Sequence, residues 1–265
     1  MTRAPVVRGL SLLLVSAMAA EAGAQVVVGQ DGKDVVFLPT PPALVDKMLD
    51  MAGVTPEDYV IDLGSGDGRI VIAAAKRGAR ALGIEYDAPL VELSKRTAAS
   101  EGVGDKATFV QADLFESDFS KATVLTMFLL SDIMVKLRPA ILDMKPGTRI
   151  VANTFGMEEW APDESATLSP CATWCTAHLW IVPARVEGRW RLPEGELTLK
   201  QTFQDLSGTL ASGDKSLPVF FGGMRGDQIA FTAGSATYTG RIMNGAMRGS
   251  VTRDGQTQSW SATRR

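Results

Sequence analysis

Residues 60–69 read Val60-Ile61-Asp62-Leu63-Gly64-Ser65-Gly66-Asp67-Gly68-Arg69. A short apolar run ends at Leu63, three glycines alternate with polar residues, and an amphipathic run begins at Arg69. This order is typical of a buried parallel strand, a turn and a helix, which is the place where an open α/β sheet binds its ligand. The stretch therefore predicts an α/β fold with a binding site at the glycine-rich turn.

The alternation of short apolar runs and amphipathic runs continues from about residue 34 to residue 183. The apolar runs predict strands over 59–63, 81–85, 107–111, 122–128, 148–155 and 176–182. Runs with apolar residues three and four apart predict helices over 42–51, 69–77, 89–100 and 131–144. Strands that alternate with helices indicate β-α-β units, so we expect a Rossmann-like, doubly wound, mostly parallel sheet.

The pattern changes after Arg185. Alternating apolar and polar residues over 196–203, 228–232, 236–241 and 246–252 are separated by glycines. Asn244-Gly245 and Asp254-Gly255 are hairpin signals. We therefore expect a small antiparallel β meander or barrel domain over residues 185–265, after an α/β domain over residues 25–184.

The first 24 residues have the features of a secretory signal peptide. Arg3 and Arg8 precede an apolar run over 9–20, and Ala22-Gly23-Ala24 provides a small-residue cleavage site. A membrane span needs about 20 apolar residues, and no later segment approaches that length. We expect an exported protein, periplasmic or secreted, without a stable span after cleavage. The alternative is an inner-membrane protein anchored by an uncleaved signal.

Composition excludes several classes of protein. Of the 265 residues, 45% are hydrophobic and 22% charged, which is ordinary globular composition. The net charge is −3 and no five like charges are consecutive, so we expect no nucleic-acid partner. One His and two Cys argue against a Cys/His metal scaffold, and we expect no metal. The composition leaves the oligomeric state open.

The acids around the turn indicate what kind of ligand it binds. In the dinucleotide fingerprint GxGxxG the third glycine would fall at position 69, where this chain has Arg69. Asp62 and Asp67 flank the turn and would repel a pyrophosphate, whereas they suit a ligand with ammonium and sulfonium charges. Asp67 could instead cap the helix that begins near Arg69.

Two further acids lie at the ends of the next two predicted strands. Glu85 can accept hydrogen bonds from both hydroxyls of a ribose. Asp113 can accept from an exocyclic amine such as that of adenine, while Leu114 and Phe115 pack on its ring. Singly, each acid could be a helix cap, a solvated strand-end charge or a turn residue. Together, at successive strand ends, they match one nucleoside ligand.

These motifs resemble those of the class I, seven-β-strand S-adenosylmethionine-dependent methyltransferases. VIDLGSGDGR is similar to their first motif, GIEYD to the second and QADLF to the third. Over about residues 38–163, including LPTPP at 38–42, the chain is most similar to small protein-lysine methyltransferases of the ATP-synthase c-subunit and adenine-nucleotide-translocase type. The resemblance implies a seven-stranded sheet, S-adenosyl-L-methionine as cofactor and a lysine amine of a protein as methyl acceptor.

The resemblance also implies the cofactor contacts. It places Asp62, Gly64 and Gly66 around the methionine part, Glu85 on the ribose and Asp113 near the adenine. Thr40 could contact the cofactor or only open the turn before Pro41-Pro42. The complete set of predicted cofactor-binding residues is Thr40, Asp62, Gly64, Ser65, Gly66, Asp67, Glu85, Tyr86, Asp113 and Leu114.

No residue is predicted to act as a catalytic base. Methyl transfer from a sulfonium depends on positioning and on exclusion of water more than on acid-base chemistry. The acceptor pocket is expected after the fourth and fifth strands, with Phe128, Asn153 and Trp160 as candidates. His178 lies in an apolar strand and is interpreted as structural.

Three departures from the family pattern leave the substrate open: Phe128-Leu129-Leu130 in place of Tyr-Leu-Leu, the export signal and the C-terminal β segment. One alternative is an exported S-adenosyl-ligand-binding protein without turnover, whose β domain is an interaction module. Another is a small-molecule methyltransferase. Cys171 and Cys175 form a disulfide or remain free thiols, and export favours the disulfide.

Overall fold

The structure, a computed structural model, describes residues 37–265 of the chain. The predicted signal peptide lies outside these residues. Within the described part, no helix is long and apolar enough to cross a membrane.

The first part of the described chain alternates strands and helices, as the apolar pattern predicts. Its four helices are α1 Pro42–Met51, α2 Arg69–Lys76, α3 Ala88–Ser100 and α4 Ser131–Leu142. Its seven strands are β1 Tyr59–Leu63, β2 Arg80–Glu85, β3 Ala107–Gln111, β4 Val124–Met127, β5 Arg149–Asn153, β6 Glu164–Thr167 and β7 Thr176–Ile181.

These strands form one sheet in the order β3-β2-β1-β4-β5-β7-β6. Strands β1 to β5 pair in parallel, while β7 is antiparallel to both β5 and β6. The predicted Rossmann-like, mostly parallel sheet of seven strands is therefore confirmed. The chain order reverses beside β1, and the carboxyl ends of β1 to β5 meet at one edge of the sheet.

Helices cover both faces of the sheet, so the central strands are buried on both sides. Val60 of β1 packs in a core with apolar residues of α1, α2 and α3. Ile61 and Leu63 point to the other face, into a core shared with α4, Trp160 and Trp180. Successive strand residues point to opposite faces, which accounts for this division.

Strand β6 was not predicted from the sequence. Its residues Glu164–Thr167 are mostly exposed, and it lies at the edge of the sheet beside β7. An edge strand with exposed side chains has no apolar period by which it could be recognised. The fourth and fifth strands are also shorter than predicted, at Val124–Met127 and Arg149–Asn153.

The second part of the chain is a closed antiparallel barrel. This confirms the predicted antiparallel β meander or barrel. Its eight strands are β8 Gly188–Leu192, β9 Gly195–Thr202, β10 Asp205–Ser212, β11 Lys215–Arg225, β12 Gln228–Ala233, β13 Ala236–Met243, β14 Ala246–Arg253 and β15 Gln256–Arg264. Consecutive strands pair, and β15 closes the barrel on β8. Asn244-Gly245 and Asp254-Gly255 connect hairpins with positive φ at both residues, as type I′ turns require.

The barrel packs directly on the sheet domain. Phe203, in the turn between β9 and β10, stacks on Trp160 with ring centroids 5.7 Å apart. The guanidinium of Arg138 in α4 lies over the same Phe203 ring at 5.3 Å. The Ala184 amide donates to the Gly226 carbonyl at 2.8 Å. The contact therefore involves α4 and the segment around Trp160.

Candidate active site

The turn after β1 passes through positive φ angles at Gly64 (72°), Gly66 (54°) and Gly68 (78°). Glycine adopts these angles without steric cost. The amides of Gly64 and Ser65 donate to the Ile84 carbonyl at 2.9 and 3.1 Å, which fixes the turn to β2. Gly68 is the N-cap of α2, so the turn leads into the positive end of that helix.

Asp62 is the buried acid of the site, with 2% of its surface exposed. Thr126 faces it on β4 and donates a hydrogen bond to Asp62 Oδ1 at 2.7 Å. Burial raises the pKa of Asp62 to about 7, and the negative charges of Glu85 and Asp67 act in the same direction against the Thr126 hydrogen bond. A cation bound nearby would favour its ionised form.

The Glu85 carboxylate reaches from the end of β2 to the glycine turn. Its Oε2 accepts from the Gly66 amide at 2.8 Å, and its Oε1 accepts from the Asp87 amide at 2.9 Å. Tyr86, the next residue, exposes 71% of its surface beside this carboxylate. Glu85 therefore braces the turn and stands at the sheet edge where ligands bind.

Asp113 and Leu114 follow the third strand, β3, at the same edge. Asp113 Oδ1 accepts from the Phe115 amide at 2.8 Å, which orders the turn. Leu114 is half-buried against the core of the α4 face, whereas Phe115 exposes 52% of its surface. The turn thus presents a carboxylate and an apolar surface side by side.

Asp67 is paired with Arg69 rather than placed as a simple cap. Arg69 Nε donates to Asp67 Oδ1 at 2.8 Å, and a terminal guanidinium nitrogen of Arg69 donates to Oδ2. The same guanidinium donates to the Thr40 carbonyl at 2.8 Å. Arg69 therefore connects the glycine turn to the segment before α1 and partly neutralises Asp67.

Thr40 is buried and tied to β5. Asn153 Nδ2 donates to Thr40 Oγ1 at 3.2 Å, and Thr154 Oγ1 donates to Asn153 Oδ1 at 2.8 Å. Asn153 is fully buried, so it positions these two segments instead of exposing its amide to an acceptor. Asn153, predicted as a candidate for the acceptor pocket, thus joins the segment at Thr40 to the end of β5.

Phe128 lies in an aromatic cluster at the carboxyl ends of β4 and β5. Its ring is 6.0 Å from the ring of Phe155 and 5.8 Å from that of Trp174, and the last two rings are 5.6 Å apart. Phe128 and Phe155 are half-buried, and Trp174 exposes 36% of its surface. This cluster of Phe128, Phe155 and Trp174 is called the aromatic wall below.

Trp160, predicted as a candidate for the acceptor pocket, lies at the contact between the barrel and the sheet domain. Trp160 is fully buried and packs between Trp180 and Phe203, where the barrel meets the sheet domain. Its carbonyl accepts from Trp180 Nε1 at 2.7 Å. A large aromatic residue after β5 is equally compatible with a pocket and with a domain contact, and the sequence does not distinguish them.

His178 is held on both ring nitrogens. Nδ1 lies 2.7 Å from Ser165 Oγ, and Nε2 lies 3.2 Å from the Thr154 carbonyl. Because a carbonyl only accepts, Nε2 donates to Thr154, and Nδ1 shares a hydrogen bond with the Ser165 hydroxyl. His178 thus connects β7 to β6 and to the turn after β5, in agreement with its structural interpretation.

Several residues of the site had no signal in the sequence. The ring of Phe37 lies over Gly66, in the space that a side chain at position 66 would occupy. Thr126 lies inside an apolar run and was not predicted, because only strand register shows that it faces Asp62. Phe155 and Trp174 join Phe128 through folding of separate segments. Among residues 37–265, no group of three or more His, Cys, Asp or Glu could hold a metal ion.

The residues present fit S-adenosylmethionine. Its ammonium and sulfonium charges suit the buried Asp62, its ribose the strand-end Glu85, and its adenine Asp113 with the apolar Leu114. Ser65 Oγ is also buried beside the turn without a hydrogen-bond partner in the described part of the chain. Such a hydroxyl is suited to a polar ligand atom, since buried polar groups are normally paired.

Comparison with known proteins identifies methyltransferases as relatives of this chain. Residues 62–164 match the family described as the ANTKMT methyltransferase domain. A protein-lysine N-methyltransferase of Saccharolobus islandicus is 37% identical over 151 residues, which are 56% of this chain and 94% of that protein. The human ATP synthase c-subunit lysine N-methyltransferase is 38% identical over 105 residues, which are 39% of this chain and 45% of that protein.

A solved structure of similar sequence is also that of a methyltransferase. The RNA methyltransferase from Salinibacter ruber, in complex with S-adenosyl-L-homocysteine, is 44% identical with a TM-score of 0.53. The match covers 56% of this chain and 96% of that one. Sequence, fold and strand-end acids thus agree, and the chain belongs to the class I S-adenosylmethionine-dependent methyltransferases, in the family of the ANTKMT methyltransferase domain.

Proposed function

We propose that this protein transfers a methyl group from S-adenosylmethionine to a lysine amine of a protein. The observation that carries the proposal is the aromatic wall, half-exposed at the carboxyl ends of β4 and β5 beside the turn with the strand-end acids. Aromatic faces suit an alkyl chain that ends in a cationic amine. The alignment that covers 94% of a protein-lysine methyltransferase supports the same substrate class.

In this proposal the chain's residues hold and orient the cofactor. S-adenosylmethionine supplies a methyl group bound to a cationic sulfur. Asp62 is assigned to the ammonium end, Glu85 to the ribose hydroxyls and Asp113 to the adenine amine. Each carboxylate oxygen has two lone pairs, so Glu85 can accept from a ribose while it still accepts from the Gly66 and Asp87 amides.

Around this core, the proposed set includes Thr40, Gly64, Ser65, Gly66, Asp67, Tyr86 and Leu114. The glycines allow the backbone to approach a ligand closely, while Tyr86 has the exposed ring nearest in sequence to Glu85. Asp67 acts together with Arg69, which also orders the segment at Thr40.

The acceptor amine must lose its proton before it attacks. At pH 7 this costs an ordinary lysine about 5 kcal/mol, given its pKa near 10.4. Desolvation and repulsion from a sulfonium both lower the pKa of the amine. Repulsion from the sulfonium therefore assists deprotonation, whereas the aromatic wall attracts the ammonium form and positions the amine. His178 is engaged with Ser165 and Thr154.

The solved relative that is named an RNA methyltransferase makes RNA the competing acceptor class. Binding to RNA relies on basic surface that neutralises phosphates, and this chain has a net charge of −3 with no basic run. Protein is the acceptor that these features favour.

The direct test offers both acceptors to the purified full-length chain. Cofactor labelled in its methyl group is incubated with an envelope protein extract in one reaction and with total RNA in another. We expect label in protein, removed by protease and recovered as methyllysine after acid hydrolysis. Label in RNA alone would overturn the proposal, and tight cofactor binding without transfer to either would favour a binding protein without turnover.

We also propose that the protein is exported. The signal-like residues 1–24 and the Cys171–Cys175 disulfide support this, because disulfides persist in oxidising compartments. The test is fractionation of cells, followed by sequencing of the N-terminus of the purified protein. A start at Gln25 in an envelope or secreted fraction is expected, whereas Met1 in a membrane fraction would indicate an uncleaved anchor. An intact cytoplasmic pool would overturn export.

A further inference from the structure

The three rings of the aromatic wall come from different segments of the chain. Phe128 directly follows β4, Phe155 lies two residues beyond β5, and Trp174 lies in the connection between β6 and β7. Phe128 and Phe155 are nearly parallel, at 24°, and Trp174 is tilted at 60° and 40° to them. The rings contact one another, so they form a continuous surface and not a box around a cavity.

Residues next to the aromatic wall contact the glycine turn after β1 and the segment at Thr40. Leu129, next to Phe128, places its Cδ2 3.0 Å from the point where a Cβ on Gly64 would lie. On the other side, Asn153 precedes Phe155 by two residues and donates to Thr40 Oγ1. Phe128 and Phe155 thus lie one and two positions from residues that contact Gly64 and Thr40, two of the proposed cofactor-binding residues.

Trp174 is fixed in place by a short covalent loop. The Cys171–Cys175 disulfide closes a ring of five residues, and Trp174 adopts a positive φ of 58° inside it. The Cys175 carbonyl accepts from the Leu168 amide at 2.9 Å, which joins this loop to the strand pair β6 and β7. A closed loop has fewer accessible conformations than an open one, so the indole is held against Phe128 and Phe155.

From these contacts we propose that Trp174 is a specificity residue for an alkylammonium acceptor, and that the Cys171–Cys175 disulfide positions it. This inference rests on the proposed lysine methyltransferase function. Phe128 and Phe155 provide the base of the acceptor surface, and Trp174 adds the face with the greatest affinity for a cation, because Trp is the best cation-π partner. The aromatic wall would thus bind the lysine side chain together with the methyl groups it acquires.

The test uses the full chain with Trp174→Ala and Trp174→Phe, and with Phe221→Ala as the control. Phe221 is an exposed aromatic of the barrel, with 93% of its surface accessible. Initial rates are measured against the concentration of envelope protein extract. Butyltrimethylammonium, which mimics a trimethylated lysine side chain, is added as an inhibitor. Cofactor affinity is measured separately by calorimetry.

With Trp174→Ala we expect the apparent KM for extract protein and the inhibition constant of butyltrimethylammonium both to rise about tenfold. Trp174→Phe should lie between wild type and Trp174→Ala, while cofactor affinity and the Phe221→Ala variant should match wild type. An unchanged KM and inhibition constant would overturn the role of Trp174. If wild type transfers no methyl to lysine, the proposed function itself fails.

The role of the disulfide is tested by replacing both cysteines, Cys171→Ser with Cys175→Ser, alone and together with Trp174→Ala. We expect the serine variant to raise the same apparent KM several-fold, with kcat and cofactor affinity nearly unchanged. If the disulfide acts through Trp174, the combined variant should be no worse than Trp174→Ala alone. Additive effects would overturn that coupling, and so would a serine variant that behaves like wild type.

Discussion

Thr126 on β4 donates a 2.7 Å hydrogen bond to Asp62 on β1, and both side chains are buried. A single hydroxyl does not replace the water that an ionised carboxylate loses on burial, so the pKa of Asp62 rises to about 7. The cofactor-free fold thus maintains an acid that is poorly stabilised until a cation arrives.

The first prediction is that Asp62→Asn stabilises the cofactor-free protein while it weakens cofactor binding. The raised pKa means that the folded state binds a proton which the unfolded state has released between about pH 4 and pH 7. Stability is therefore lost as pH rises through this range, and the neutral amide avoids the loss. At pH 8 we expect a gain of about 1–3 kcal/mol in the free energy of unfolding.

Urea denaturation at pH 8 measures this gain, and calorimetry measures the accompanying loss of cofactor affinity. We expect the affinity to fall by at least about tenfold, because a charged hydrogen bond is worth about 1.5–3 kcal/mol. Asp105→Asn, in an exposed turn, is the control. Lower stability of Asp62→Asn, with affinity intact, would contradict the role given to Asp62.

The second prediction concerns the pH dependence of wild-type cofactor binding. Below pH 7, a cationic ligand must first displace the proton from Asp62, so its affinity should fall as pH decreases. The limiting slope is about tenfold per pH unit for one group. Calorimetry from pH 5.5 to 8.5 would show this slope together with proton release on binding. A flat profile would mean that Asp62 does not face the ligand charge.

The third prediction is that Thr126→Val moves the midpoint of that profile to higher pH. The Thr126 hydroxyl lowers the pKa of Asp62, and valine retains the shape while it removes the donor. In this variant burial raises the pKa of Asp62 further, because no Thr126 hydrogen bond lowers it. Thr232→Val in the barrel strand β12 is the matched control and should leave the midpoint unchanged. A downward movement in Thr126→Val would contradict the assigned direction.

The fourth prediction is that Glu85→Gln weakens cofactor affinity by about 10- to 100-fold. Glutamine keeps one acceptor oxygen, so it cannot accept from both the Gly66 and Asp87 amides as Glu85 does. It also removes the charge proposed to bind the ribose. Glu92→Gln, on the exposed side of α3, is the control. Equal affinities in the two variants would exclude Glu85 from the binding site.

The fifth prediction separates domain packing from ligand binding. Phe203→Ala removes the ring that stacks on Trp160 and lies under Arg138. We expect a loss of about 1–3 kcal/mol in stability and no change in cofactor affinity. Thermal unfolding and calorimetry test this, with the exposed Phe221→Ala as the control. A loss of affinity at unchanged stability would show that the barrel contact acts on the site.

Much of the fold could be predicted from local pattern. The strands at Tyr59–Leu63 and Ala107–Gln111 have their predicted bounds, because apolar runs between turn residues indicate buried strands directly. Strand β6 could not be found, since its exposed residues carry no period. In the barrel, β8, β10, β11 and β15 were not individually predicted. Strand β8 has only five residues, glycines interrupt β10 and β11, and β15 is mostly polar and exposed.

The strand-end acids were found because each lies at or near the end of an apolar run in the sequence. Contacts that depend on strand register or on loop folding could not be predicted in this way. Thr126 faces Asp62 from the neighbouring strand β4. Trp174 contacts Phe128 from the connection between β6 and β7, which is distant in sequence. Trp160 shows the limit of reasoning from residue type alone. A large aromatic side chain can line a pocket or fill a domain contact, and the Trp160 side chain fills the contact with the barrel.

The closure of the barrel has a consequence for the order of folding. Strand β15 pairs with β8 through Thr263 opposite Arg191 and Arg264 opposite Trp190, residues about 70 positions apart in the chain. Such distant pairing is slow, and during synthesis it waits for the eighth strand of the barrel. The methyltransferase sheet has its own distant pair, β1 with β4, but both of these strands precede the barrel in the chain and are synthesised before it. Nascent chains should therefore acquire the cofactor-binding unit before the barrel closes.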